Sequence, residues 1–173
     1  YADDVLIFVK SEMSANRVMK SIGSWLERKL FLKVNATKTK VVRPTRSKYL
    51  GFTFLNHNGT WTVRPTNEKK KKLKQKLSEH LKRGKAIARP LAVTINRVNQ
   101  IIRGWINYFR IGMMKTFMEE IGEWLRHKIR AIVLKQWKKP KTIYRNLAYL
   151  NQKYKCGFTH DDIFKVANSR LGW

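Results

Sequence analysis

The chain has 173 residues, 43% of them hydrophobic, enough for one large or two small buried cores. Its 38 Lys and Arg stand against 11 Asp and Glu, a formal net charge of +27. Such a charge makes a compact state repel itself and calls for a polyanionic partner, with a membrane surface or an acidic protein as alternatives. No apolar run reaches the roughly 18 residues of a membrane span, and the opening residues do not read as a signal peptide. Cys156 is the single cysteine, which excludes an internal disulfide and suits a reducing compartment.

The chain opens on Tyr1-Ala2-Asp3-Asp4, followed by the apolar run Val5-Leu6-Ile7-Phe8-Val9. The order predicts a tight turn that displays two carboxylates at the start of a strand. Adjacent acids repel, so the pair needs a cation. Hard oxygen ligands on a turn suit Mg²⁺, which binds through one or two carboxylates plus substrate phosphates. An ordinary Asp-rich turn is the alternative. A turn here needs an incoming strand, and we expect the chain to be a piece of a longer protein.

Residues 11–31 read as a helix capped by Ser11 or Ser14, with Val18, Ile22, Trp25, Leu26 and Leu30 as its core stripe. Leu32-Lys33-Val34 and Val41-Val42 read as short strands around the polar turn 35–40. Tyr49 to Leu55 reads as a further strand in which Gly51 permits close backbone approach. Asn56-His57-Asn58-Gly59 signals a hairpin before Thr60-Trp61-Thr62-Val63. Residues 1–65 are therefore expected to be α+β, one helix on a mostly antiparallel sheet.

Helical periods dominate from residue 66. Thr66 or Asn67 is expected to cap a lysine-rich helix with a thin stripe of Leu73, Leu77 and Leu81, ended by Gly84. A second helix is expected from about Thr94 to Gly112, carrying Ile95, Val98, Ile101, Ile102, Trp105, Tyr108 and Phe109. A third is expected from about Lys115, with Met118, Ile121, Leu125, Ile129 and Ile132, closed by Trp137 and Pro140. Facing stripes make these a three-helix bundle. Two shorter helices are expected near 143–150 and 161–169. Asp161-Asp162 opens the last one, where carboxylates cap and meet the positive dipole end. Cys156 and His160 are spaced like half a zinc site, but structural zinc needs four ligands.

Residues 1–65 hold 12 Lys/Arg and 4 Asp/Glu, while residues 66–173 hold 26 and 7. The helical part is the stronger polyanion binder. Lys69, Lys70, Lys71, Lys72, Lys74 and Lys76 crowd like charges onto one helix, a pattern that phosphate contact would relieve.

Four blocks carry a family resemblance. Tyr1-Ala2-Asp3-Asp4 resembles the YADD box of reverse transcriptases. Leu32-Lys33-Val34-Asn35-Ala36-Thr37-Lys38-Thr39-Lys40 resembles the block that follows it, with its Asn-x-x-Lys-Thr core. Tyr49-Leu50-Gly51-Phe52 resembles their next block. Arg103-Gly104-Trp105-Ile106-Asn107-Tyr108-Phe109 is similar to the Gly-Trp-x-Asn-Tyr-Phe signature of the maturase-type thumb, or X domain, of group II intron-encoded proteins.

The resemblance implies the end of a polymerase palm (1–65) and then a thumb or maturase X domain (66–173). It implies RNA-directed DNA polymerase and intron RNA-binding maturase functions, or a non-catalytic splicing module. Asp3 matches a ligand of a two-Mg²⁺ site, Asp4 its neighbour, with a further Asp outside this chain. Tyr1 and Ala2 would lie at the primer end and incoming dNTP. Lys38 matches a lysine near the triphosphate, and Tyr49, Leu50 and Gly51 would help form the primer grip. Asn35 and Thr39 are expected to fix the Lys38 loop. Trp105 and Phe109 are expected in the core. Lys69, Lys70, Lys72, Lys76, Arg97, Arg103, Asn107 and Arg110 are expected on RNA, with Arg97, Arg103 and Arg110 close to one helix face. The implied partners are group II intron RNA, template–primer duplex and dNTP, with homodimerisation open. The implied setting is the bacterial cytoplasm. This segment alone is expected to lack polymerase activity.

Overall fold

The computed structural model describes residues 4–169. They form α1 (Glu12–Leu30), a 3-10 turn (Pro44–Arg46), β1 (Lys48–Tyr49), β2 (Phe52–His57) and β3 (Thr60–Pro65). Six more helices follow: α2 (Asn67–His80), α3 (Arg83–Ile87), α4 (Leu91–Phe109), α5 (Lys115–Trp137), α6 (Pro140–Tyr154) and α7 (His160–Asn168). The architecture is α+β. The chain divides into two compact units. One runs to Thr66 and takes in Ile111–Met113; the other holds Asn67–Arg110 and the chain from Met114 onward.

The sheet of the first unit is antiparallel, in the order β1-β2-β3. Two tight turns build it. His57 pairs with Thr60, so the loop between β2 and β3 is Asn58-Gly59 alone. Their φ angles are 50° and 82°. Two left-handed residues make the mirror-image turn whose twist matches the strands it joins, and Asn-Gly is the favoured pair for it. Asn56 Oδ1 accepts the Gly59 N–H at 3.0 Å and closes the turn. The hairpin expected from this stretch is the one observed.

The other turn corrects the sequence reading. Tyr49 pairs with Phe52, and Leu50 and Gly51 between them have φ of 50° and 83°. Tyr49 to Leu55 is therefore two strands folded about Leu50-Gly51, where a single strand was expected. Gly51 is needed for its positive φ. Leu50 in the same region costs roughly 1–2 kcal/mol, so the ladder on either side must hold it. The rim of the sheet gains two further bonds, from Thr66 N–H to Gly51 O at 2.8 Å and from Met113 N–H to Val63 O at 2.7 Å.

The strands expected at Val5–Val9, Leu32–Val34 and Val41–Val42 carry no ladder. A strand is stabilised by the neighbour it bonds to, and among the described residues only β1, β2 and β3 pair. Phe8 nonetheless packs edge-to-face on Phe54 of β2, ring centroids 5.2 Å apart. The same correction applies to α1. Ser11 caps it as expected, accepting the Ser14 N–H at 3.2 Å. Its apolar stripe has helical spacing, yet α1 buries none of its residues and Trp25 is 51% exposed. Spacing reveals an apolar face; it does not supply the partner that covers it.

The second unit has the core that the helical stripes anticipate. Leu73, Leu77 and Leu81 from α2 and its C-terminal end meet Val98 of α4 and Ile121, Leu125 and Ile132 of α5. Leu91, Ile101, Ile102, Trp105, Phe117 and Trp124 pack around them. The bundle is larger than three helices. α2 stops at His80, and Gly84 lies inside the additional short helix α3, which adds Ala86 to the core. Gln136 of α5 explains why α3 stays in place. Its Nε2 donates to Arg89 O at 2.9 Å and lies 3.4 Å from Ala86 O and Ile87 O, serving carbonyls left open at a helix end. α4 begins at Leu91, just after Pro90, and so earlier than the start near Thr94 that the sequence suggested. Pro140 opens α6, where its missing N–H costs nothing.

Leu77 is fully buried at the centre of this core. Leu77→Ala should lower the unfolding free energy by about 2–5 kcal/mol in urea titration of the whole chain, while the exposed Val93→Ala should change it by less than about 0.5 kcal/mol.

Candidate nucleic-acid interface and acidic turn

Tyr1, Ala2 and Asp3 lie outside the described residues. Asp4 is exposed, and its carbonyl oxygen accepts a hydrogen bond from the Tyr49 hydroxyl at 3.1 Å. That bond spans 45 residues and ties Asp4 to the half-buried hairpin of Tyr49, Leu50 and Gly51. Asp4 and the hairpin expected to serve the primer are thus neighbours. Among the described residues no three or more His, Cys, Asp or Glu gather as a metal site. Adjacent carboxylates are hard oxygen donors, and that donor chemistry fits Mg²⁺.

Lys38 sits on a loop of its own, its side chain exposed. Asn35 organises that loop. Its Oδ1 accepts from Thr37 N at 3.0 Å, Thr37 Oγ1 at 2.7 Å and Lys38 N at 3.1 Å. Its backbone oxygen accepts from Lys38 N at 3.2 Å and Thr39 N at 2.9 Å. Asn35 therefore has the loop-fixing role expected of it. Thr39 takes part through its backbone N–H, and the neighbouring Thr37 supplies the hydroxyl contact.

The basic residues of the second unit separate into two surfaces. On α2, Lys69, Lys72 and Lys76 recur at three and four residues and share one exposed ridge. Lys70 has turned toward the core, its Nζ 5.1 Å from the Phe117 ring centroid, and Lys74 lies likewise 5.7 Å from Trp124. Two of the crowded lysines thus gain cation–π contacts within the protein.

On α4 the buried side is Thr94, Val98 and Phe109, and the opposite side is exposed. Trp105 stacks on Phe109 at 4.6 Å and Phe117 at 5.4 Å, so the aromatic pair of the Gly-Trp-x-Asn-Tyr-Phe block belongs to the core as expected. Tyr108 does not: it is 55% exposed. The outer face carries Asn96, Gln100, Arg103, Asn107 and Arg110, all exposed. No Asp or Glu occurs between Leu91 and Arg110. Asn96 and Gln100 were not singled out from the sequence, although their spacing of four and then three to Arg103 was the available signal.

Arg97 needs a correction. Six residues along an α-helix advance the face by about 600°, leaving Arg97 about a third of a turn from Arg103. Its Nη1 donates to Gln100 Oε1 at 3.3 Å. Arg103, Asn107 and Arg110 share a face, and Arg97 flanks it.

Two family models match the chain. Residues 1–54 match the reverse transcriptase (RNA-dependent DNA polymerase) model, and residues 70–150 match that of the group II intron, maturase-specific domain. The chain belongs to the group II intron reverse transcriptase and maturase family. The Asp3-Asp4 pair, the Asn35–Lys38 loop and the Tyr49–Gly51 hairpin all fall within the reverse transcriptase match. The α4 face falls within the maturase match, as do Lys70, Lys72 and Lys76 of α2. No individual curated protein matches the chain. No helix among the described residues is long and apolar enough to cross a membrane.

In the second acid pair Asp162 completes the cap of α7, as its position suggested, while Asp161 lies beside it in the first turn. Thr159 Oγ1 accepts the Asp162 N–H at 3.2 Å, while Asp162 Oδ2 accepts from Thr159 N at 3.0 Å and Thr159 Oγ1 at 2.7 Å. His160 engages Tyr144, Nδ1 to hydroxyl 2.6 Å. The Thr159 side-chain and backbone hydrogen bonds hold the Asp162 carboxyl below its usual value of 3.8, with Lys165 assisting. A depressed carboxylate pKa stabilises the fold above the unfolded value, and that contribution is lost as pH falls through the folded one. The Thr159 amide resonance should therefore titrate with a midpoint below 3.8 in an NMR pH series, and Asp162→Asn should abolish that step.

Proposed function

We propose that the second unit clamps RNA through two cooperating surfaces. The lysine ridge of α2 follows phosphates, and the outer face of α4 makes the directional contacts. The acid-free exposed face of α4 carries this reading. A face that only needed solvation would mix charges of both signs. This one presents amides and guanidinium groups, which hydrogen-bond to 2′-hydroxyls, base edges and phosphates. The partners are group II intron RNA and the template–primer duplex.

Asp3 and Asp4 would supply carboxylates to a Mg²⁺ site, and the metal would supply activation of the primer 3′-hydroxyl and charge stabilisation for the leaving pyrophosphate. Lys38, presented on the loop that Asn35 fixes, lies near the dNTP triphosphate and offsets its charge. The family resemblance assigns Tyr1 and Ala2 to the primer end and incoming dNTP, and the Tyr49–Leu50–Gly51 hairpin, whose Tyr49 hydroxyl bonds to Asp4 O, grips the primer strand. The family supplies this part of the reading, and the Asp4–Tyr49 hydrogen bond supports the pairing of turn and hairpin.

The α2 ridge sets the salt dependence. Changing Lys69, Lys72 and Lys76 together to Gln should weaken RNA binding by the whole chain across unrelated sequences. It should also flatten the slope of log K against log salt by about 2–3. Asn107→Ala with Arg103→Ala should instead lower affinity for structured intron RNA more than for a random RNA of equal length. An equal loss on both RNAs would contradict a recognition role for α4. In any form of the protein that extends primers, Asp3→Asn should remove extension by two or more orders of magnitude while RNA binding in a filter assay stays within twofold; the triple Gln variant should show the opposite order of effects.

A further inference from the structure

A cleft of about 250 Å³ opens on the second unit, between α2, α3 and α5. Its floor is apolar and belongs to the core: Leu81, Ala131 and Ile132, each no more than 9% exposed. The indole of Trp124 forms a wall. The rim is cationic, made by Lys82 and Arg83 at the start of α3 and by Lys128 on α5, with His127 beside them. Among the described residues no carboxylate lines the cleft, although Glu79 and Glu123 lie on the same helices. Lys74 adds positive charge over the indole, 5.7 Å from its ring. The Gln136 bonds tie the C-terminal end of α3 to α5.

The two halves of this site ask for different things. The floor and the indole want a flat apolar group; the rim wants a polyanion. A duplex offers phosphates but keeps its bases stacked inside, and so leaves the floor unused. Free phosphate would leave it unused too. An unpaired nucleotide turned out of an RNA strand presents both at once, since single-stranded and bulged bases are the ones that pack on aromatic side chains. Sites for drug-sized ligands begin near 300 Å³, so this cleft suits a single base and its flanking phosphates.

We propose that the α2–α3–α5 cleft receives one extruded nucleotide of the bound RNA, the base against Trp124, Leu81 and Ile132 and its phosphates on Lys82, Arg83 and Lys128. The inference rests on the RNA-binding reading above and adds a second, base-sized contact on a different part of the unit from the outer α4 face. The cleft makes the protein prefer RNA that carries a bulge at a suitable distance from the duplex it clamps.

The test uses the whole chain and three hairpin RNAs with one common stem: fully paired, bearing a single bulged adenosine, and bearing an abasic site at the bulge. Fluorescence anisotropy at fixed salt should give binding of the bulged RNA on the order of tenfold tighter than the paired one. The abasic RNA should lose most of that gain. Trp124→Leu should erase the preference and leave affinity for the paired RNA nearly unchanged. Lys82→Gln combined with Lys128→Gln alters exposed side chains only, and should also shrink the preference should Trp124→Leu disturb folding. Equal affinity for paired and bulged RNA, or a preference that survives both variants, would overturn the cleft while leaving RNA binding intact. Free adenosine monophosphate binding as tightly as the bulged strand would overturn the strand-borne nucleotide. Failure to bind any of the three RNAs would overturn the RNA-binding reading together with the cleft.

Discussion

Everything in the second unit depends on burying the leucines of α2. That helix holds six lysines within eight positions, with like charges at 70 and 74, 72 and 76, 69 and 72, and 71 and 74. Each such pair costs about 0.2–0.5 kcal/mol. Burying a leucine side chain returns about 1.5–3 kcal/mol, and Leu73, Leu77 and Leu81 are all at or below 5% exposure. The leucines win by a clear margin, so α2 keeps its shape while its outward lysines stay crowded. A charge pattern that is unfavourable in isolation becomes a ready surface for phosphates. The inward lysines, Lys70 and Lys74, are steadied over Phe117 and Trp124.

The same core positions the α4 face and the cleft. Trp105 and Phe109 lock α4 by its inner side, which fixes the direction of Arg103, Asn107 and Arg110 on the other. α5 carries Ile121, Leu125 and Ile132 inward and presents Trp124, His127 and Lys128 to the cleft. Directional RNA contacts need such a rigid base, because a guanidinium or amide on a loosely held helix loses its geometric selectivity. The cationic surfaces and the apolar core are in this sense one device: the core is what lets so much like charge be held at fixed spacing.

The first unit uses backbone geometry for the same purpose. Two-residue turns at Leu50-Gly51 and Asn58-Gly59 fold three strands into a small sheet. The first turn lifts Tyr49 to the carbonyl of Asp4. Asn35 gathers the Thr37 and Lys38 amides around one side-chain oxygen and so presents Lys38. These are short-range devices, each built by one or two residues whose chemistry requires the turn they make.

Sequence alone determined the elements whose cause is local. Helical spacing predicted α2, α4 and α5 and their inward stripes, because every third or fourth residue must meet the core. Asn-Gly predicted its hairpin, and Asp162 its cap, because each is satisfied by atoms within three residues. The ordered blocks predicted the family. Tertiary structure decided what depends on a neighbour. It alone revealed that Tyr49 and Phe52 face each other, that the stripe of α1 and the Val5–Val9 run fully bury no residue and join no ladder among the described residues although Phe8 packs on Phe54, and that Gln136 ties α3 to α5. It also decided that Lys70 turns inward while Lys69, Lys72 and Lys76 stay out. Covering a face and joining residues 45 positions apart are properties of packing, and no periodicity in the chain encodes which surface will arrive to do it.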